Sequence, residues 1–368
     1  MISAWDDFPV HQTSQPVRFV GTSDRNFYDR YYFNLHASSD ELFMIMGMGQ
    51  YPNLAVQDAF ACVRRGEKQY VVRASKELGD RMDLGVGPFG IEVVKPLEEL
   101  RFVLEENEHG IAGDLHWRGS IPAVEEQNQF LRRHGRVFFD TSRLAQTGTW
   151  EGWLRVGDER FEVTPDRWWG TRDRSWGVRP HGEPEPEGIH AGGPGSLNGM
   201  WNYFPMQFAD HSILYIRNEE NDGTLALHES RRIWRDSERP IEELGPVEYE
   251  HHLEPGTRMM TGSLLRFPEA PGGPLEVKCE PLTHTFIGIG TGYTHIEPDW
   301  RHGMYQGPLV VQGREYEVAD IATLGQLILV DHCARYSYQG NVGYGLYEHG
   351  FIGPFEKYGM KDRADGAA

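Results

Sequence analysis

The chain has 368 residues, room for two domains of roughly 100–200 residues each, and its 39% hydrophobic and 12% aromatic content excludes a disordered chain. A formal net charge of −19 offers no basic stripe, which argues against nucleic acid as a partner and against anionic membrane surfaces. The cysteines Cys62, Cys279 and Cys333 are odd in number and far apart, so neither a disulfide framework nor a cysteine metal site is expected, and a reducing, cytoplasmic setting follows.

The opening MISAWDDFPVHQ places acids where a signal peptide needs basic and then apolar residues, and no run of about 18 apolar residues exists to form an integral membrane segment. From there on, period-two alternation dominates, with Gly 43 and Pro 22 marking turns. Strands are predicted at Val17–Gly21, across residues 28–36, and at Phe43–Gly49. Arg101–Glu105 and Ile111–Arg118 flank the turn Asn107-Glu108-His109-Gly110 and read as a hairpin. Ala123–Arg133, with Val124, Gln127, Phe130 and Leu131 on one side and Gly135 ending it, reads as the one clear helix. Strands follow at Arg136–Thr141 and Thr149–Val156. Residues 181–199 are rich in Pro and Gly and read as a linker between a first β-domain (1–180) and a second (200–368). In the second half, Ser212–Arg217 and Thr224–Trp234 flank Asn221-Asp222-Gly223, a strong hairpin signal. Leu275–Cys279, His284–Gly290, Leu309–Val311 and Gln326–Asp331 complete an all-β reading of two consecutive antiparallel barrels or sandwiches.

Several motifs fail on their physics. Gly85-Val86-Gly87-Pro88-Phe89-Gly90 matches GxGxxG, but Pro88 removes a backbone donor and Ile91–Val94 continues as a strand, so a β-turn is the reading. Among sixteen histidines none forms HxH or HExxH, and adjacent His251 and His252 point to opposite faces of a strand, so no metal is expected. No GxSxG elbow or cysteine-protease signature exists. Gly47-Met48-Gly49-Gln50-Tyr51 is echoed by Gly288–Tyr293 at a different depth in its half, and the echo is taken as chance.

Two segments stand out for density of rings and charge. In extended residues 28–36, Tyr28, Arg30, Tyr32, Asn34 and His36 share one face, and Asp29, Tyr31, Phe33 and Leu35 the other. That is either an ordinary strand with a polar exterior or a pocket wall in which Asn34 and His36 hold a polar group of a ligand. In Trp168–Arg179, Thr171, Asp173 and Ser175 face one way and Arg172, Arg174 and Trp176 the other. Desolvation beside Trp169 and Trp176 would raise the pKa of Asp173, whereas folded-back arginines would lower it, and a salt-bridged latch explains the residues as well. Trp201 and Tyr203 add aromatic surface just past the linker. Asp331 and Glu348, with His332 and His349, form a second carboxylate cluster that packing and edge charge can also explain.

These residues carry a resemblance. Asp173-Arg174-Ser175-Trp176-Gly177 followed by Trp201-Asn202-Tyr203 resembles the Asp-x-Asn-x-Gly stretch and aromatic cluster of the carotenoid 1,2-hydratase/AttH-like group, with Ser175 where those hydratases have Asn. SDRNFYDRYYFNLH at 23–36, YPN at 51–53 and GxGxGY…H at 288–295 resemble, over nearly the whole chain, an uncharacterised bacterial family related to that group. The resemblance implies two lipocalin-like (calycin) barrels and a cofactor-independent hydratase or dehydratase, isomerase or cyclase. Its substrate would be a hydrophobic terpenoid or steroid-like molecule held in an apolar barrel cavity. It implies Asp173 as acid, with His36 and Tyr203 in the catalytic set and Tyr28, Tyr32, Asn34, Trp169, Trp176 and Trp201 around the substrate. The alternative is a lipocalin-like carrier that binds hydrophobic small molecules without chemistry. The oligomeric state is left open, a homodimer being one option.

Overall fold

The computed structural model describes residues 2–133, 135–179, 199–294 and 296–368. The proposed linker and His295 therefore lie outside the described residues, except that Gly199 already opens a strand. The fold is nearly all β, with one nearly closed barrel sheet and one half-barrel sheet.

The first sheet has 14 strands. Its continuous path runs Leu309–Glu317, Lys68–Glu77, Val56–Arg65, Phe43–Tyr51, Phe27–His36, Trp169–Val178, Arg136–Val156, Ile111–Gly119, Glu99–Leu104, Phe89–Lys95 and Gly85–Val86. The second has nine, in the order Glu242–Glu243, Leu225–Trp234, His211–Glu219, Gly199–Gln207, Asn341–Ile352, Val330–Tyr338, Leu275–Thr285, Met260–Phe267 and Glu248–Leu253. Every pairing is antiparallel, as short turns between alternating runs require. Leu309–Glu317, although it follows residue 200, pairs along its length with Lys68–Glu77 in the first sheet. The loop before it is tied to the same strand, where the buried Gln69 amide bonds the Phe286 and Ile289 carbonyls and Arg73 bonds Gly290 and Glu297.

Both predicted hairpins form, between Glu99–Leu104 and Ile111–Gly119 and between His211–Glu219 and Leu225–Trp234. Gly85–Gly90 is a tight turn with Gly87 at φ +55°. Five readings need correction, the first being His284–Gly290, where the strand Leu275–Thr285 ends and a turn begins at Phe286. Val17–Gly21 is irregular, with the Val17 N–H bonded to Asp6 instead of to a strand. Ala123–Arg133 is not a helix. Val124–Glu125 and Gln129–Arg133 are short strands that pair with Arg136–Val156, and Phe130 of the supposed apolar side is exposed. Arg136–Thr141 and Thr149–Val156 are the ends of one 21-residue strand. Among the described residues the one α-helix, Val318–Gly325, lies just before Gln326, and strand pairing starts only at Val330 instead of at Gln326.

Two strands, Phe43–Tyr51 and Gly199–Gln207, are buried at every residue. Period two explains how. In the first, Met44, Met46 and Met48 fill the barrel beside Phe33, Trp117 and Trp150, while Phe43 and Ile45 point outward. In the second, Met200, Phe204 and Met206 face the interior of the half-barrel, and Trp201 and Tyr203 face the first sheet. The outward faces meet in a shared apolar cluster that includes Phe43, Phe60, Val71, Leu214, Ile216 and Leu346. The barrel interior is itself filled by rings, with the Trp117 and Trp150 centroids 5.1 Å apart. The seam between the sheets is where packing is incomplete.

Behind the seam, the half-barrel holds a network of buried histidines. His251 bonds Ser263 and Asn202, and the His332 and His349 Nε2 atoms lie 3.1 Å apart. Burial pushes His349 down from 6.5 to about 3, so it is neutral in the folded state. A group with a depressed folded pKa contributes stability above its unfolded value, here lost as pH falls from 6.5 toward 3. His349→Gln is expected to flatten the dependence of stability on pH across that window, by up to ~1.4 kcal/mol per pH unit. Urea unfolding at pH 7, 6 and 5 measures it (conditions chosen around the reference His value), and equal slopes in the two proteins would contradict the assignment.

Candidate functional site

The register of three neighbouring strands sets the floor of the site. Tyr32 lies opposite Asp173, which lies opposite Ala145, and Arg30 lies opposite Ser175, which lies opposite Arg143. Because side chains alternate, Tyr28, Arg30, Tyr32, Asp173, Ser175, Thr141 and Arg143 all leave the same face, toward the second sheet. There, Trp201, Tyr203, Leu227, Leu329, Glu348 and Ile352 close over them, with Tyr293, Phe139, Gln127 and Gln129 at the sides. The space between them is a partly enclosed cavity of ≈ 130 Å³. It lies in the seam between the two sheets, at the junction of the two halves, while the barrel interior is filled by its own core.

Glycine makes room for one wall. Gly49 and Gly47 are the strand neighbours of Arg30 and Tyr32, and a Cβ at Gly47 would stand 2.5 Å from the Phe60 ring and 3.2 Å from the Arg30 guanidinium. The Arg30 head thus lies across the glycines, where it donates to His302 Nδ1 (2.8 Å) and stacks 4.7 Å from the Tyr293 ring. Since arginine can only donate, His302 must offer a lone pair at Nδ1. The glycine-rich Gly288–Tyr293 stretch brings Tyr293 to this wall, with Gly290 and Gly292 at φ +85° and +95°. Both glycine-bearing stretches therefore flank the Arg30 side chain.

Asp173 is part-buried because its carboxyl faces the cavity, and no hydrogen bond from a described residue reaches that carboxyl. Desolvation raises its pKa to about 6, Arg143 and Arg179 pull it down, and Glu126 and Glu348 push it up. Arg143 is held by the Glu126 carboxylate and lies 4.7 Å from the Tyr203 ring and 5.7 Å from that of Trp201. Arg179 stacks 4.3 Å from Tyr28. The arginines beside Asp173 in sequence point away from it, Arg174 to Asp29 and Arg172 to Gln146.

Glu348 and Asp331 are cross-strand partners with no ion pair to a described cation. Tyr32 donates its hydroxyl to Asp331 (2.5 Å), and Trp201 donates its indole N–H to Glu348. Burial raises both carboxyls, and Asp331 the more, because it also sits beside the Glu348 charge. Two desolvated carboxyls side by side disfavour double ionisation, so they titrate as a pair in which Asp331 is pushed up the further.

Of the site residues read from sequence, Asp173, Tyr203, Tyr28, Tyr32 and Trp201 converge on this cavity. Asn34 and His36 share the face of Tyr32 but lie further along the strand. The Asn34 side chain accepts the Thr171 N–H (2.9 Å), and buried His36, lowered to about 3, accepts the Ser38 N–H. Trp169 donates to the Pro165 carbonyl, and Trp176 is 37% exposed on the opposite face from Asp173. Glu126, Arg143, Arg179 and Tyr293 were not singled out. Among the described residues no group of three His, Cys, Asp or Glu side chains is placed to hold a metal ion, and no helix is long and apolar enough to cross a membrane.

Fold and site together define a two-barrel β-protein with a small chamber of acids and rings between its sheets. The chain belongs to a family of unknown function, DUF8625, whose model matches residues 2–361. No curated protein matches it in sequence. In fold it is similar to a Nitrosomonas europaea protein provisionally described as AttH, at 12% identity and TM-score 0.55 over 93% of this chain and 98% of that one. It is similar also to CghA, in a structure with Sch210972, at 11% identity and TM-score 0.52 over 89% of each chain.

If Glu126 raises Asp173 directly and also holds Arg143, Glu126→Gln removes an anion and leaves a cation less compensated, and both changes favour ionised Asp173. Its titration midpoint is expected to move below about 6, read by carboxyl carbon NMR. An unmoved or higher midpoint would contradict this electrostatic account.

Proposed function

We propose that the protein is a cofactor-independent lyase or isomerase that takes a hydrophobic small molecule into the seam and transfers a proton to it from Asp173. The observation that carries this reading is a carboxyl, pushed up to about 6 by burial, that faces a partly enclosed cavity with no hydrogen bond from a described residue, ringed by Tyr28, Tyr32, Phe139, Trp201, Tyr203 and Tyr293. A structural carboxylate is normally tied down by donors, whereas a general acid has to be desolvated and free to reach a substrate. The similarity in fold to AttH and CghA supports a ligand site in such a scaffold.

A space of ≈ 130 Å³ suits one ring or a branched isoprene-sized unit. For a terpenoid or steroid-like substrate the reacting end would enter and the remainder lie outside. Protonation of a hydroxyl would expel water, and protonation of an alkene or carbonyl would start hydration, isomerisation or cyclisation. Tyr203, beside Glu126, Arg143 and Asp173, would orient the oxygen that receives the proton.

The acid is competent when protonated, so kcat/KM is expected to fall as pH rises through about 6. Asp173→Asn is expected to abolish turnover (about 100-fold or more). Because it removes a carboxyl whose folded pKa is raised, the same variant should be more stable than the parent above that pH, by up to ~2 kcal/mol. Hydrophobic molecules extracted from the purified protein, identified by mass spectrometry and incubated with it in heavy-oxygen water, supply the assay. Asp173-dependent product with heavy oxygen indicates a hydro-lyase, and product without it an isomerase or cyclase. Extracted molecules returned unchanged indicate a carrier and refute the reading.

A further inference from the structure

The cavity contains a second carboxyl that proton donation by Asp173 does not use. Glu348 lines the same space, on the strand Asn341–Ile352 of the opposite sheet, so the two groups approach a guest from different walls. Its support is unusual for a structural glutamate. It makes no ion pair with a described cation. Instead it receives the Trp201 indole N–H on one side and packs against Asp331 on the other, and Asp331 is fixed in turn by the Tyr32 hydroxyl at 2.5 Å. The Trp201 indole N–H favours the charged form of Glu348, beside a partner carboxyl that burial pushes up further than Glu348 itself. Arg143 and Arg179 favour its charged form across the cavity without a direct ion pair, and desolvation makes a carboxylate held this way a stronger base than one in water.

The charges around the space indicate what such a base would work on. Arg143 and Arg179 line the cavity, and the Arg30 head borders it behind Tyr293. A carbocation would form among guanidinium groups and be repelled, whereas negative charge developing on an oxygen would be stabilised by them. Ser175 sits between Arg30 and Arg143 in the register of the floor and carries a hydroxyl next to Asp173.

We propose that Glu348 is a catalytic base opposite Asp173, and that the substrate's reacting end is an enolisable, ring-sized unsaturated ketone. This rests on Asp173 as the acid and names the substrate class. Glu348 removes a proton from the carbon between carbonyl and alkene, and the C–H electron pair becomes the new C=C bond as Asp173 gives its proton to the carbonyl oxygen. Glu348 then returns its proton to the far alkene carbon while the oxygen returns its proton to Asp173. One C–H bond breaks and one forms, the double bond moves into conjugation, and no oxidant, reductant or water is consumed. Asp331, Tyr32 and Trp201 are positioning residues that keep Glu348 charged and aimed.

The probe is 3-cyclohexen-1-one, whose six-membered ring is close in size to the benzene that a cavity of ~150 Å³ accepts. Its conversion to 2-cyclohexen-1-one is followed by ultraviolet absorbance, and by NMR in deuterium oxide for label at the far carbon. The wild-type protein is expected to accelerate conversion over buffer. Glu348→Gln should lose the acceleration by about 100-fold or more, and Glu348→Asp should keep part of it. Both variants should retain the parent's circular dichroism, and Glu348→Gln should melt no lower than the parent, since it removes a carboxyl that burial raises. Glu348→Gln at the wild-type rate while Asp173→Asn is inactive would overturn the base and leave the acid standing. No acceleration of this ketone by the wild-type protein, while its extracted molecules still turn over in an Asp173-dependent way, would overturn the substrate class alone. Asp173→Asn at the wild-type rate would remove the underlying reading itself.

Discussion

The structure depends on strands that must be covered on both faces. Phe43–Tyr51 turns methionines into the barrel and Phe43 and Ile45 outward, so a lone barrel would expose an apolar stripe on its outer wall. The half-barrel has the matching need, with Trp201 and Tyr203 on the reverse of a strand whose other face is already a core. Burial of each large side chain is worth about 1.5–3 kcal/mol. Pressing the two sheets together satisfies both. Where the two curved faces fail to match, a chamber is left, and there the outward side chains are polar: Asp173, Arg143, Ser175 and Glu348 in place of Val or Ile. Covering the stripe and creating a dry site for acids are therefore the same event, and the raised pKa of Asp173 follows from it.

The sequence reveals direction better than depth. Period two correctly assigned the faces of residues 28–36, yet Asn34 and His36, on the face of Tyr32, lie beyond the cavity and bond backbone N–H groups. Parity also separates Trp176 from Asp173, and the exposure of Trp176 follows from that alternation. The resemblance located Asp173, Trp201 and Tyr203, residues that alternation alone could not bring together across the 27 positions between Asp173 and the second sheet's first tryptophan. What stayed hidden was pairing over long separations. Arg143 lies in Ser-Arg-Leu-Ala-Gln, too polar to read as strand, and only its place between Trp169–Val178 and two short strands makes it one. Asp331 and Glu348 were visible as a carboxylate cluster, but that Glu348 raises Asp331 depends on their facing each other across two strands.

Local propensity misled in both directions. Val124, Gln127, Phe130 and Leu131 have helical spacing, but the segment is recruited as strand by the long Arg136–Val156 neighbour, a tertiary override of a weak preference. Val318–Gly325 is helical in spite of β-branched Val318, Ile321 and Thr323 and without a capping side chain, so contacts of that turn with the neighbouring sheet supply what propensity does not.

The return of Leu309–Glu317 to the first sheet has a bearing on how the chain can be divided. A break anywhere in residues 181–199 would part the primary structure but not the hydrogen-bonded ladder. A fragment ending there would present the bare backbone of Lys68–Glu77, nine or more N–H and C=O groups aligned and uncapped, to any strand it met. The proper strand is carried by the other fragment. Co-expressed pieces could complement one another through it, whereas either piece alone would recruit copies of itself.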